Sequence, residues 1–220
     1  MKHIIFDLDG TLLDSVRVWE HIGSLYLQQQ HIKLHHSIET LDYELEIRNL
    51  EEGSLYLKEE YALEASCEDI LKGISNLVRE RYSHCLLKDM VYEKDILHLL
   101  KEHGYHLYVL TSSFEEYAKL ALEVNGIHHY FDVIASIEKG TSKTNGSAYL
   151  SFLQQHHINK DDVIVVEDAL HAIQGVHAIG CYVIAMEELY FPFNVQTKEI
   201  ANAYVKDYQQ LYEVIIKERS

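Results

Sequence analysis

The chain has 220 residues with 35 Asp and Glu against 19 Lys and Arg, a formal net charge of -16, and this balance argues against nucleic acid, whose phosphates reward a basic stripe. It leaves room for a small phosphate ester, because a metal ion, one lysine and a few backbone amides make a local positive site. No apolar run approaches the roughly 20 residues of a membrane helix, and the N-terminus lacks the basic-then-apolar signal pattern; the expectation is a cytoplasmic protein with no membrane or nucleic-acid partner, a monomer by default.

The first predicted element is the apolar run from His3 to Phe6, closed by Asp7-Leu8-Asp9-Gly10-Thr11. It reads as a buried strand that delivers two carboxylates to its C-terminal end, where open α/β sheets bind ligands. Asp7, as an ordinary carboxylate, is anionic at neutral pH and attacks phosphorus without an activating base. Asp9 leaves the strand on the same side and can serve as acid and base. Gly10 allows a sharp turn, and Thr11 ties that turn with its hydroxyl.

Helical spacing of Val16, Trp19, Ile22, Leu25 and Tyr26 predicts a helix from Val16 to about His31. Shorter helices follow at Leu41 to Arg48 and Leu55 to Leu63. Ser66-Cys67-Glu68-Asp69 is then a capping box before Ile70, Leu71, Ile74, Leu77 and Val78, one face of a helix reaching about Tyr82. This block has no glycine-rich strand-end motif of its own and reads as an all-helical insertion: a cap of residues 16–87 within a core of residues 1–15 and 88–220.

From Tyr92 onward helices and strands alternate. The pattern predicts helix Lys94 to His103, strand His106 to Leu110, helix Glu115 to Asn125 and strand Asp132 to Ala135. It continues with helix Ser147 to His156, strand Asp162 to Val166, helix Leu170 to Ile179, strand Tyr182 to Ala185 and a last helix from about Tyr208. Such alternation means an α/β fold with a doubly wound parallel sheet.

Three strand ends are polar. Leu110 is followed by Thr111-Ser112-Ser113, with Ser113-Phe114-Glu115-Glu116 read as the cap of the next helix. Val166 is followed by Glu167-Asp168, and Lys139 and Lys143 lie in the loop after the short strand. Asp7, the backbone carbonyl of Asp9 and Asp168 offer oxygen ligands to a hard divalent cation, for which Mg2+ is the expectation. Thr111 and a lysine then hold phosphoryl oxygens, and catalysis becomes positioning plus charge neutralisation in line with Asp7.

Four segments in this order resemble the motifs of haloacid dehalogenase (HAD) superfamily hydrolases with a helical cap after the first strand, the phosphoglycolate phosphatase and β-phosphoglucomutase-like group. They are F-D-L-D-G-T-L-L-D-S at Phe6 to Ser15, L-T-S-S at Leu110 to Ser113, K-x-x-x-x-x-Y at Lys143 to Tyr149, and V-V-E-D-A-L-H-A-I at Val165 to Ile173. The resemblance implies a HAD-like Rossmannoid core of strand order 5-4-1-2-3. It makes Asp7 the nucleophile, Asp9 the general acid and base, and Thr111 and Lys143 the phosphate holders, with Ser112 in the same motif. Asp7, Asp9 and Asp168 become metal ligands, and Glu167 a further member of the metal site, directly or through water.

The family usually follows its lysine with proline. Here Thr144 and Gly146 stand at those positions, which predicts a looser loop and makes Lys139 a rival, although the spacing to Tyr149 favours Lys143. Dehalogenases lack the second acid of the first motif and cation pumps carry lysine there, so Asp9 indicates phosphate monoester hydrolysis. The expected function is an Mg2+-dependent phosphatase acting on a small phosphorylated metabolite through an aspartyl-phosphate. The alternatives are a sugar-phosphate mutase of the β-phosphoglucomutase type and a catalytically silent phosphate-binding protein.

Other features read as ordinary. Cys67, Cys85 and Cys181 never form a C-x-x-C pair and indicate free thiols. The pairs His35-His36, His128-His129 and His156-His157, among 15 histidines, have no Cys or His partner at zinc-site spacing and read as surface residues. Arg48, Lys58 and Arg79 are candidates to meet an anionic substrate and Lys33 to form an imine, but helices carry such charges to stay soluble, and that reading is preferred. The aromatic stretch Tyr190 to Phe193 reads as bordering the pocket or packing under the sheet.

Overall fold

The structure, a computed structural model, describes residues 2–46, 48, 50–187 and 194–217. The aromatic stretch Tyr190 to Phe193 lies outside the described residues. The chain forms two compact units, Met1–Ser15 with Cys85–Ser220, and Val16–His84. In chain order the elements are β1 (His3–Phe6), α1 (Ile22–Gln29), α2 (Ile38–Glu46), α3 (Leu50–Glu60), α4 (Cys67–Tyr82) and α5 (Glu93–Glu102). Then come β2 (His106–Thr111), α6 (Glu115–Val124), β3 (Val133–Ser136), α7 (Ser147–Gln155), β4 (Val163–Glu167) and α8 (Leu170–Ala178). The chain closes with β5 (Tyr182–Met186), α9 (Asn194–Ile200), β6 (Ala203–Val205) and α10 (Tyr208–Lys217).

The first unit is built on one six-stranded sheet of order β3-β2-β1-β4-β5-β6, parallel throughout. That is the expected 5-4-1-2-3 order with one more strand outside β5. The extra strand has three residues and no run of apolar alternation, too short to signal itself in sequence. One sheet face packs Ile5, Tyr108, Leu110, Val165 and Val183 against Tyr149 and Phe152 of α7 and Ile173 and Val176 of α8. The alternate positions Ile4, Phe6, Leu107, Val109, Ile164 and Ile184 are just as buried. Both faces are therefore covered, which is why these strands read as apolar runs rather than alternations.

Register then fixes the chemistry. Phe6 is level with Val109 on one side and Val166 on the other, so Asp7 and Glu167 leave adjacent strands one step later. Since β1 connects toward β2 and the chain later returns to β4 on its other side, this edge is the topological switch point.

In the second unit Ser66 caps α4 by accepting the Asp69 N–H at 3.1 Å and donating its hydroxyl to Asp69 Oδ2 at 2.6 Å. The helix expected from Val16 instead begins as a 3-10 turn, Val16–Val18, and α1 starts after His21 in a left-handed conformation, φ 59°. Arg81 closes that turn by donating to the carbonyls of Arg17, Val18 and Glu20 at 2.6–2.9 Å. Arg48 pairs with Glu44 at 2.6 Å and lies over Tyr56, and Lys58 donates to the Ala65 carbonyl. The division at His84/Cys85 falls three residues before the expected cap boundary; Leu87 bridges Leu13 within the sheet unit.

Candidate active site

The peptide N–H of Asp7 donates to the Val166 carbonyl at 2.9 Å, which continues the β1–β4 ladder and fixes the direction of its side chain. Gly10, at φ 88°, then turns the chain sharply. Leu12 and Leu13 N–H return to the Leu8 carbonyl, both at 2.9 Å. The Thr11 hydroxyl, expected to tie this turn, donates instead to Asp168 Oδ1 at 3.2 Å and joins the ends of β1 and β4. The Thr11 carbonyl accepts from the buried Tyr208 hydroxyl at 3.0 Å.

Lys143, buried, donates to Asp7 Oδ1 and to Glu167 Oε1, the latter at 2.7 Å. Lys139 is exposed on the surface. The loop that carries Lys143 is not loose despite its missing proline. Ser147 Oγ accepts the Ser142 N–H at 2.9 Å and donates to Asn145 Oδ1 at 2.6 Å, and Gly146 N–H closes on the Lys143 carbonyl at 3.0 Å. Gly146 sits at φ 76° against Gly175 of α8, where backbone meets backbone. Hydrogen bonds and two glycines fix this loop without a proline.

Glu167 ends β4 and Asp168 follows it. Glu167 Oε1 accepts from Lys143 and from the Tyr149 hydroxyl at 2.8 Å, and its Oε2 accepts the N–H groups of Asp168 and Ala169 at 3.1 and 3.2 Å. Four donors fill the lone-pair directions of one carboxylate. One oxygen each of Asp7, Glu167 and Asp168 lies within 4.8 Å of the others, all buried. Two of these buried carboxylates, Asp7 and Glu167, share the Lys143 ammonium, and excess buried charge is costly. Burial pushes the Asp7 carboxyl up to about 8, with Lys143 opposing and Glu167 and Asp9 adding to the rise. Burial pulls on Lys143 in the other direction, but Asp7 and Glu167 outweigh it and hold the ammonium above its ordinary value. An all-oxygen pocket with surplus negative charge fits a hard divalent cation.

Asp9 sits beside this cluster. Its Oδ1 accepts from Ser15 at 2.6 Å, and its Oδ2 from Ser113 at 2.7 Å and from Thr111 at a long 3.5 Å. Ser113 was expected to cap α6, but Phe114 holds that position without a side-chain bond; the Ser113 hydroxyl is turned to Asp9 instead. Thr111 is buried and accepts the Ser113 N–H at 3.0 Å. Ser112 is exposed between them. Ser15, Ser113 and Tyr149 are thus site residues that sequence reasoning had not assigned. All three stand inside the quoted motifs, which was the available signal.

Residues 4–186 match the haloacid dehalogenase-like hydrolase family, and the chain belongs to it. Phosphatases of this family generally use a divalent metal. Among curated relatives, the phosphoglycolate phosphatase of Aliivibrio fischeri is 26% identical over 194 residues, 84% of each chain. The phosphorylated carbohydrates phosphatase of Thermotoga maritima is 25% identical over 191 residues, 82% of each chain. Among solved structures, CbbY from Rhodobacter sphaeroides in complex with phosphate has a TM-score of 0.75 at 17% identity, with 96% of each chain covered; at that identity the likeness is one of fold. Among the described residues, no helix is long and apolar enough to cross a membrane.

Proposed function

We propose that this chain is a divalent-cation-dependent phosphatase of a small phosphorylated metabolite that works through a phospho-Asp7 intermediate. What supports this reading above all is the contact of the Lys143 ammonium with both Asp7 and Glu167 at the β1–β4 switch point. Curated relatives that are phosphatases of small phosphorylated compounds point the same way. The domain reading, a sheet core with a helical cap inserted after residue 15, belongs to the same proposal.

In this mechanism Asp7, which a cation bound beside it would keep as the carboxylate against the pull of burial, attacks phosphorus and the P–O bond to the leaving alcohol breaks, Asp9 donating the proton that the alkoxide takes up. Asp9 then removes a proton from water, which attacks the acyl phosphate and returns Asp7 as carboxylate with release of inorganic phosphate. A hydroxyl both donates and accepts, so Ser15 and Ser113 can hold Asp9 in either protonation state. Lys143, Thr111 and the rim at Ser112 hold the phosphoryl oxygens, and Glu167 with Tyr149 holds Lys143. Asp7, Asp168 and the carbonyl of Asp9 would hold the cation, Mg2+ by the hardness of the donor set, with Glu167 adding its charge; bound there it neutralises charge on the phosphoryl group.

A screen of sugar phosphates, phosphoglycolate and nucleotides, with and without Mg2+, tests this reading. Mg2+-stimulated release of one phosphate per substrate, absent in Asp7→Asn, is the expected result. Acid-quenched parent should retain substrate-derived phosphate on the protein. Conversion to an isomeric sugar phosphate with almost no free phosphate would make the protein a mutase, and an Asp7→Asn variant equal to the parent would leave a non-catalytic phosphate binder.

A further inference from the structure

In the helical unit, His35, His36 and Glu60 converge. The Nε2 atoms of the two neighbouring rings lie 3.0 and 2.7 Å from the same oxygen, Glu60 Oε1. A carboxylate only accepts, so without an ion both rings present Nε2–H to it. Sequence spacing could not reveal this cluster, because the two histidines lie in the segment before α2 and the third member is an acid at the end of α3.

The donors are fixed by the structure around them. His36 directly precedes Ser37, whose hydroxyl and carbonyl accept the N–H groups of Thr40 and Leu41 at 3.2 and 3.1 Å and so cap α2. Glu60 is the last residue of α3. The His35 ring stacks on Tyr61 with centroids 4.2 Å apart and meets His36 edge-on at 4.7 Å. Tyr61 itself is buried, so the platform beneath the rings is part of the helical core.

We propose that His35, His36 and Glu60 form a binding site for a borderline divalent transition ion, Zn2+ by its donor set, which clips the segment before α2 to the C-terminal end of α3. Two imidazoles and one carboxylate suit Zn2+ and do not suit Mg2+. With bonds of about 2.0–2.2 Å, tetrahedral donors stand about 3.4 Å apart, roughly 0.4 Å more than the 3.0 Å and 0.7 Å more than the 2.7 Å found here. Glu60 can supply that by a small rotation, since its side chain is 36% exposed. Each ring then passes its proton from Nε2 to Nδ1 and ligates through Nε2. The histidine side chains are 48% and 35% exposed, which leaves water to complete the coordination. This inference is independent of the catalytic reading, because none of its residues belongs to the strand-end site.

The test uses the full chain, stripped of metal by a chelator and returned to saturating Mg2+, then titrated with Zn2+ by calorimetry. One equivalent of Zn2+ is expected to bind and to raise the melting temperature. His36→Asn and Glu60→Gln, both surface changes, are each expected to weaken that equivalent by at least about tenfold, while Asp168→Asn keeps it. The proposal is overturned if the parent binds no Zn2+ in the presence of Mg2+, if His36→Asn binds it as the parent does, or if Asp168→Asn is the variant that loses it.

Discussion

Gly175 leaves room for the backbone of Lys143: a Cβ added at Gly175 would come 1.9 Å from the Lys143 carbonyl oxygen and 2.8 Å from the Gly146 nitrogen. Backbone atoms cannot yield to such a contact as a flexible side chain can, so Gly175→Ala must push the Lys143 loop off α8. Overpacking of this kind costs about 1–3 kcal/mol. The expected outcome is a lower melting temperature together with a loss of at least about tenfold in kcat/KM, because a shift of about 1 Å at a positioning group costs more than that. Phosphate release at matched folded fraction checks it.

Lys143 carries a prediction with an internal control. Lys143→Met keeps the aliphatic stem but leaves Asp7 and Glu167 without their ammonium, and breaking a buried pair on one side costs about 3–5 kcal/mol. Without divalent cation the variant should therefore melt well below the parent, and added Mg2+ should raise its melting temperature more than it raises the parent's. Turnover should be lost. Lys139→Met, an exposed change, should alter neither quantity; if it abolishes turnover instead, the assignment of the phosphate-holding lysine is wrong.

Tyr149→Phe removes one donor from Glu167 and leaves Lys143 as the remaining contact on Oε1. Both residues are buried, and a hydrogen bond to a charged group is worth about 1.5–3 kcal/mol. A stability loss of that size is expected, with a fall in kcat smaller than that of Lys143→Met and KM little changed. A Tyr149→Phe variant with kcat as low as Lys143→Met would mean that the hydroxyl, and not the ammonium, organises the strand end.

Much of this was legible in the sequence where a local rule and a tertiary demand agree. The strand from His3 ends in its acids because the ligand edge of a parallel sheet is where acids can be of use. The capping of α4 by Ser66 was readable because it spans only three residues. What sequence could not show was pairing at long range. Ser113 looked like a helix cap by its spacing, yet Asp9, 104 residues away, takes its hydroxyl. The missing proline after Lys143 suggested slack, yet Gly175 on α8 holds the loop by close backbone approach. The strand β6 lies at the sheet edge with three residues and no pattern of its own.

The helical unit offers a stability test free of the catalytic chemistry. Ser66→Ala deletes both its acceptance of the Asp69 N–H and its donation to Asp69. Loss of such a cap costs about 1 kcal/mol. Denaturant melts should move by that amount, and turnover of the folded fraction should stay as in the parent.

Glu93 gives the pH dependence. It is completely buried in the first turn of α5, its Oε2 accepting the Asp89 N–H at 3.2 Å and its Oε1 having no hydrogen-bond partner among the described residues. Burial pushes its carboxyl well above 4.5, and the Asp89 charge adds to the rise against the local backbone N–H groups. A carboxyl whose folded value is raised stabilises the fold fully below the unfolded value near 4.5, and that contribution is lost as the pH climbs toward the folded value. In the parent this residue therefore makes the protein weaker at neutral pH than at mildly acidic pH. Glu93→Gln keeps the shape and cannot ionise, so the difference in melting temperature, variant minus parent, should grow as the pH is raised from about 5 to about 8. A difference that stays flat over that range, or falls, would show that Glu93 is held charged in the folded protein.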